Sequence, residues 1–305
     1  REDAGMAARW APLAAEVGAA WVAEALAPAT SLRLAAIRCL REGNARRKAA
    51  LTLEAARRWY AGELAAEDDG GDQTVPDEPA RDDVTTVDAK SVPKRGKGGS
   101  AQNRLKLVHS LAHIESVAID LSWDMVARFG FRNAEVQFPR QFLDDWVEVA
   151  WEEAIHYLMW EGRLLEMDSH YGALPTHSGL WDSAQHTASS ALDRLVIEHC
   201  VLEARGLDVA PLTFKKFLDA QDETSADMLE AIYTEEISHV EKGMRWFRFA
   251  HDQLAAPDLD LEARFKAIVE AKLTGRIKPP FNDEARARAG MDPIFYDPAA
   301  VAATA

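Results

Sequence analysis

The chain has 305 residues, 48% of them hydrophobic, and a formal net charge of −15. That is enough apolar material for a substantial buried core, in one large domain or two ordinary ones. So acidic a balance argues against general nucleic-acid binding, and two cysteines, Cys39 and Cys200, cannot build a disulfide framework or a Cys-rich zinc shell.

Residues 1–66 form an N-terminal helical region, rich in Ala, Leu, Arg and Glu. Ser31 is suited to cap a helix running to Arg41, with Gly43-Asn44 as its stop, and a further helix is expected over 45–60. Residues 67–100 differ in character. Glu67-Asp68-Asp69-Gly70-Gly71-Asp72 is acidic and Gly-rich, and Pro93-Lys94-Arg95-Gly96-Lys97 is basic. This segment reads as a solvated linker, partly disordered, in which almost nothing is buried. A docking segment for a protein partner is the second reading.

Residues 101–255 carry four long helical patterns, expected at 102–128, 140–167, 179–205 (ended by Gly206) and 224–250. Long helices with short breaks predict an all-α fold built on a four-helix bundle. The tail, 256–305, is expected to form a short helix over 261–273. Pro279-Pro280 and Pro293 then impose extended structure, and the tail packs on the bundle.

Two of the long helices contain Glu-x-x-His: Glu153 with His156, and Glu236 with His239. Residues three apart on a helix share a face. The stripe through the first pair is Phe142, Trp146, Val149, Glu153, His156 and Trp160. Through the second it is Leu229, Ile232, Glu236, His239, Gly243 and Trp246. Both stripes are otherwise apolar or small, so the pairs face the core. Buried carboxylates are costly unless paired or metal-bound. The other two helices each add a core acid: Glu115 on the stripe Val108, Leu111, Ala112, Ile119, Ser122, and Glu203 on the stripe Leu192, Val196, His199.

Four carboxylates and two imidazoles match the ligand set of di-iron and di-manganese carboxylate bundles. The expected cofactor is two metal ions, iron with manganese as the alternative. By analogy with such sites, Glu115, Glu153 and His156 hold one ion, Glu203, Glu236 and His239 the other, and Glu153 and Glu236 bridge. A single Glu-x-x-His is common on solvated helix faces; the full set on apolar stripes is not. His199, Cys200, Tyr233, the pair His109/His113 and the tryptophans are read as core or structural residues, with His199, Cys200 and Tyr233 as alternative neighbours of the site.

Several motifs resemble the DUF455 family: Leu111-Ala112-His113-Ile114-Glu115, Ser169-His170-Tyr171-Gly172, Gly179-Leu180-Trp181, Val201-Leu202-Glu203-Ala204-Arg205-Gly206-Leu207-Asp208 and Glu236-Ile237-Ser238-His239-Val240. Lys278-Pro279-Pro280-Phe281-Asn282 with Glu284-Ala285-Arg286 is similar to its C-terminal signature. The resemblance implies a ferritin-like fold and no particular substrate.

The expected function is an O2-activating oxidoreductase, a hydroxylase or oxidase, acting on a small organic substrate with an external electron donor. The alternatives are a metal-binding structural or assembly protein, or a ferroxidase-type metal handler. No apolar run is long enough to span a membrane. Arg1-Glu2-Asp3 lacks the features of a secretory leader, so the expected location is the cytoplasm, or an organelle matrix after loss of a targeting segment.

Overall fold

The computed structural model describes residues 12–66, 74–93, 99–131, 136–254 and 260–297. The fold is all-helical. Among the described residues no strand forms, and only isolated bridges join Ser31 to Ala65 and Thr86 to Thr176. No helix among them is long and apolar enough to cross a membrane.

Helix α1 (Ala19–Leu26) is followed by α2 (Leu32–Arg41) and α3 (Ala45–Tyr60). The α2 and α3 boundaries are those expected, and local capping explains them. The Ser31 hydroxyl accepts from the Leu34 N–H, and the Asn44 side chain accepts from the Arg47 N–H at 3.0 Å. Helix α4 (Ala101–Asp124) runs directly into a π-helical turn, Met125–Phe129, and α5 spans Arg140–Glu166. Helix α6 (Gly179–His186) precedes a break. Then α7 (Ala191–Arg194), a π-helical stretch (Leu195–Leu202) and α8 (Glu203–Asp219) follow without interruption. Helices α9 (Glu223–Gln253), α10 (Leu261–Lys272) and α11 (Asp283–Arg288) complete the order.

The chain divides into two compact units. The first comprises Arg1–Arg132, Phe138–Trp181 and Lys216–Met228. The second comprises Asn133–Gln137, Asp182–Lys215 and Leu229–Ala305.

In the first unit, α4 packs along α5, and α2 and α3 pack against that pair. Buried polar anchors fix the N-terminal helices there. Trp123 donates to the Thr52 hydroxyl at 2.9 Å, and Trp59 donates to Asp144 at 2.8 Å. Residues 74–93 are held more firmly than their composition suggested. Ala80 N–H donates to Leu40 O and Asp82 N–H to Gly43 O, while Pro79 is buried. Arg81 reaches in to pair with Asp120, which also takes Lys48 at 2.6 Å. Both charges of the Lys48–Asp120 pair are buried, a geometry in which losing one partner is strongly destabilising. The acidic and basic runs at 67–73 and 94–98 lie outside the described residues.

Two expectations are corrected in the third helical region. It breaks after His186, where Ser190 caps the next turn by accepting from Asp193 N–H. It then runs through Gly206 and Pro211 to Asp219 instead of stopping at Gly206. Gly206 faces open space, so it costs the helix only its intrinsic propensity, about 1 kcal/mol. The defect left by Pro211 is repaired within the second unit by Asn282, whose amide takes the Leu207 carbonyl.

In that unit the tail folds against α8 and α9. Arg286 makes a bidentate pair with Asp208 at 2.9 and 2.7 Å. Phe265 packs on Phe247 and Phe295, at ring distances of 5.5 and 5.1 Å. The tail is also less extended than its prolines suggested. Asn282 caps α11 by accepting from Ala285 N–H at 3.2 Å, and a 3₁₀ turn forms at Pro293–Phe295.

Candidate metal centre

In the first unit, the stripe on α5 is buried along its whole length, from Phe142 through Trp146, Val149, Glu153 and His156 to Trp160. On α4, Val108, Ala112, Glu115, Ile119 and Ser122 are buried in the same way. These faces bring one ligand atom each of Glu115, Glu153 and His156 within 4.8 Å of one another. His156 Nδ1 lies 3.4 Å from Glu153 Oε2, and their side chains are 0% and 1% exposed. Trp160, one turn beyond His156, donates its indole N–H to Glu115 Oε1 at 3.2 Å. That bond aims a Glu115 oxygen and fixes its rotamer, as groups behind metal ligands do.

The second unit repeats the pattern. Glu203 opens α8 directly after the π-helical stretch, and Glu236 and His239 lie on α9. One ligand atom of each falls within 4.8 Å of the others. His239 Nδ1 is 3.1 Å from Glu236 Oε2 and 3.6 Å from Glu203 Oε1. The His239 side chain is 2% exposed, whereas Glu203 and Glu236 keep 20% and 16%. This triad is therefore the one that solvent reaches. Gly243, one turn after His239, lets α9 approach closely: a Cβ there would run into the backbone carbonyl of His199.

Each triad offers two carboxylates and one imidazole, a donor set that suits a divalent metal ion. Clustered carboxylates repel one another, and a cation removes both that repulsion and the desolvation penalty. The residues fit such an ion, and the groups are positioned to hold one.

A family model described as "Protein of unknown function (DUF455)" matches residues 41–297. The chain belongs to the DUF455 family. A relative from Haemophilus influenzae (strain ATCC 51907 / DSM 11121 / KW20 / Rd), named "Uncharacterized protein", is 34% identical over 207 residues, which is 67% of this chain and 70% of its own length. No solved structure matches the chain.

Most of the remaining motifs of this DUF455 protein tie its elements together, but Trp151, expected in the core, is 41% exposed. His109 and His113 hold the loop after α5. His109 Nε2 accepts from Gly172 N–H at 3.0 Å, while His113 pairs with the Tyr171 hydroxyl at 2.9 Å and the His177 carbonyl at 3.2 Å. Burial pushes His109 down to about 4 and His113 down to about 3, so both stay neutral near pH 7. Burial likewise lowers His199 and raises the Cys200 thiol, which keeps both uncharged. Tyr233 is no core filler: it accepts from the Asn282 amide at 2.9 Å.

Two residues escape a reading of spacing alone. Trp160 is visible as the next position on the Glu153 stripe, but its partner is not. Glu198 is buried on the π-helical stretch, and desolvation raises it to about 7 against the pull of Arg194 and Ser183.

Proposed function

We propose that the two triads are halves of one dinuclear centre in a ferritin-like four-helix bundle. Glu115, Glu153 and His156 would hold one ion, and Glu203, Glu236 and His239 would hold the other. The ions are iron, or manganese in place of one or both. The protein is an O2-activating oxidoreductase, a hydroxylase or oxidase, that acts on a small organic substrate with an external electron donor.

One observation carries this reading. A Glu-x-x-His pair is joined by a carboxylate from a neighbouring helix, and the arrangement occurs twice with the same residue types. A pair of redox-active ions, when bound, supplies electrons to dioxygen together. The protein's own groups do the rest. Four carboxylates would balance the charge of two divalent ions. Two neutral imidazoles complete the donor set. The apolar stripes around Glu153 and His156 keep that half dry, which strengthens each charge interaction within it.

The test is dioxygen uptake by the full chain loaded anaerobically with iron(II). The expected result is uptake that depends on bound iron and is lost in both Glu153→Gln and Glu236→Gln. Uptake unchanged in those variants would remove the oxidoreductase reading.

A further inference from the structure

The second unit contains a cavity of about 200 Å³ lined by Ala210, Pro211, Phe214, Leu229, Glu230 and Tyr233. Ala210, Pro211, Phe214 and Leu229 supply apolar walls. Glu230 is an exposed rim, and Tyr233 is half-buried. We propose that this cavity receives the apolar part of the substrate, a single ring or short alkyl chain, and presents it to the Glu203–Glu236 edge of the metal centre. The inference rests on the dinuclear reading above.

Helical register links cavity and carboxylates. On α9, Leu229, Tyr233 and Glu236 follow at intervals of four and three. On α8, Glu203, Leu207, Ala210 and Phe214 follow at four, three and four. Each sequence runs down one face of its helix. At 1.5 Å of rise per residue, Tyr233 lies about one turn from Glu236, and Ala210 lies roughly 10 Å along the helix from Glu203.

Exposure points the same way. Glu203 and Glu236 are the ligands that remain partly open, and the cavity lies one to two turns further along the same two helices.

Size sets the ligand class. An apolar cavity of about 150 Å³ holds a benzene ring, and pockets for drug-sized ligands begin near 300 Å³. A pocket between these limits, open at its Pro211 and Glu230 rim, has room for one ring or a short chain.

Tyr233 supplies the polar contact. Its oxygen accepts from the Asn282 amide, so its own proton is available to another acceptor, and the bond holds the phenol in place. Pro211 stiffens the opposite wall. A substrate with a hydroxyl or carbonyl next to its apolar group would be bound at both ends.

The probe is para-fluorobenzyl alcohol, titrated into the full chain and followed by fluorine NMR. Metal-free protein should bind it saturably at one site, and manganese(II)-loaded protein should broaden the bound signal. Ala210→Trp fills the cavity and should weaken binding by about tenfold or more, with bound metal unchanged. Unchanged affinity in folded Ala210→Trp overturns the proposal. So does an unbroadened bound signal in protein that holds manganese. If Ala210→Trp does not fold, Phe214→Ala enlarges the cavity instead. It should then bind a fluorinated biphenyl methanol about tenfold more tightly than the parent chain does, and unchanged affinity overturns the proposal. A chain that takes up no metal yet binds the probe overturns the metal reading, and with it the cavity's role beside the centre.

Discussion

Asn282 donates its side-chain amide to the Leu207 carbonyl at 3.2 Å, the carbonyl whose helical donor is missing because residue 211 is proline. The same amide donates to the Tyr233 hydroxyl at 2.9 Å, and the side-chain oxygen accepts from Ala285 N–H to start α11. The Asn282 N–H donates to Asp208. One tail residue thus repairs α8, holds a tyrosine of α9 and caps the helix that carries Arg286. This gives a physical reason for the C-terminal motif Lys278-Pro279-Pro280-Phe281-Asn282.

Asn282→Ala should therefore destabilise the chain by about 2–3 kcal/mol, the sum of a lost cap and an unsatisfied carbonyl. In a Pro211→Ala background the residue 211 N–H can take the Leu207 carbonyl again. The cost of Asn282→Ala should then shrink by about 1 kcal/mol. A chemical-denaturation cycle over the four proteins measures this coupling, and simple additivity would argue against the repair.

Trp160→Phe removes the donor to Glu115 and keeps an aromatic body in the same buried site. Metal affinity should fall about 10- to 100-fold while the helical content is retained. Competition titration against a chelator, with circular dichroism alongside, reads both. An unchanged affinity would show that the indole only fills space.

Glu198 gives a pH dependence with a definite sign. Its folded value of about 7 lies above the ordinary 4.5, so the folded chain holds a proton that the unfolded chain releases. The contribution to stability is full below about pH 4.5 and is lost as pH rises to about 7. Glu198→Gln should flatten this slope and stabilise the chain at pH 8 by on the order of 3 kcal/mol relative to its effect at pH 4.5. Thermal melts of both proteins across that range test it. Parallel curves would contradict it.

Local chemistry was legible in the sequence. Caps at Ser31 and Asn44 sit next to the helices they start, so α2 and α3 could be bounded from a few residues. Glu153 and His156, and Glu236 and His239, stood out because charged pairs interrupt apolar stripes. What depends on distant partners was not legible. The continuation of α8 through Pro211 requires Asn282, far along the chain. Glu203 follows a π-helical stretch, where periodicity counted at 3.6 residues per turn no longer holds.

A second hidden feature is the stripe His109, His113, Ser116, Asp120 and Asp124 on α4. Its spacing is that of a solvated helix face, yet all five residues are buried. Arg81 on segment 74–93 and Tyr171 on the loop after α5 cover it with hydrogen bonds. A polar stripe covered by polar loops looks the same in sequence as one covered by water.

Iron content per chain, measured after anaerobic loading and removal of free metal, tests the dinuclear centre most directly. Two equivalents are expected in the parent chain, fewer in His156→Ala and in His239→Ala, and none in the protein carrying both changes. Parent chain that retains no iron or manganese, or a double variant that retains as much as the parent, would contradict the assignment.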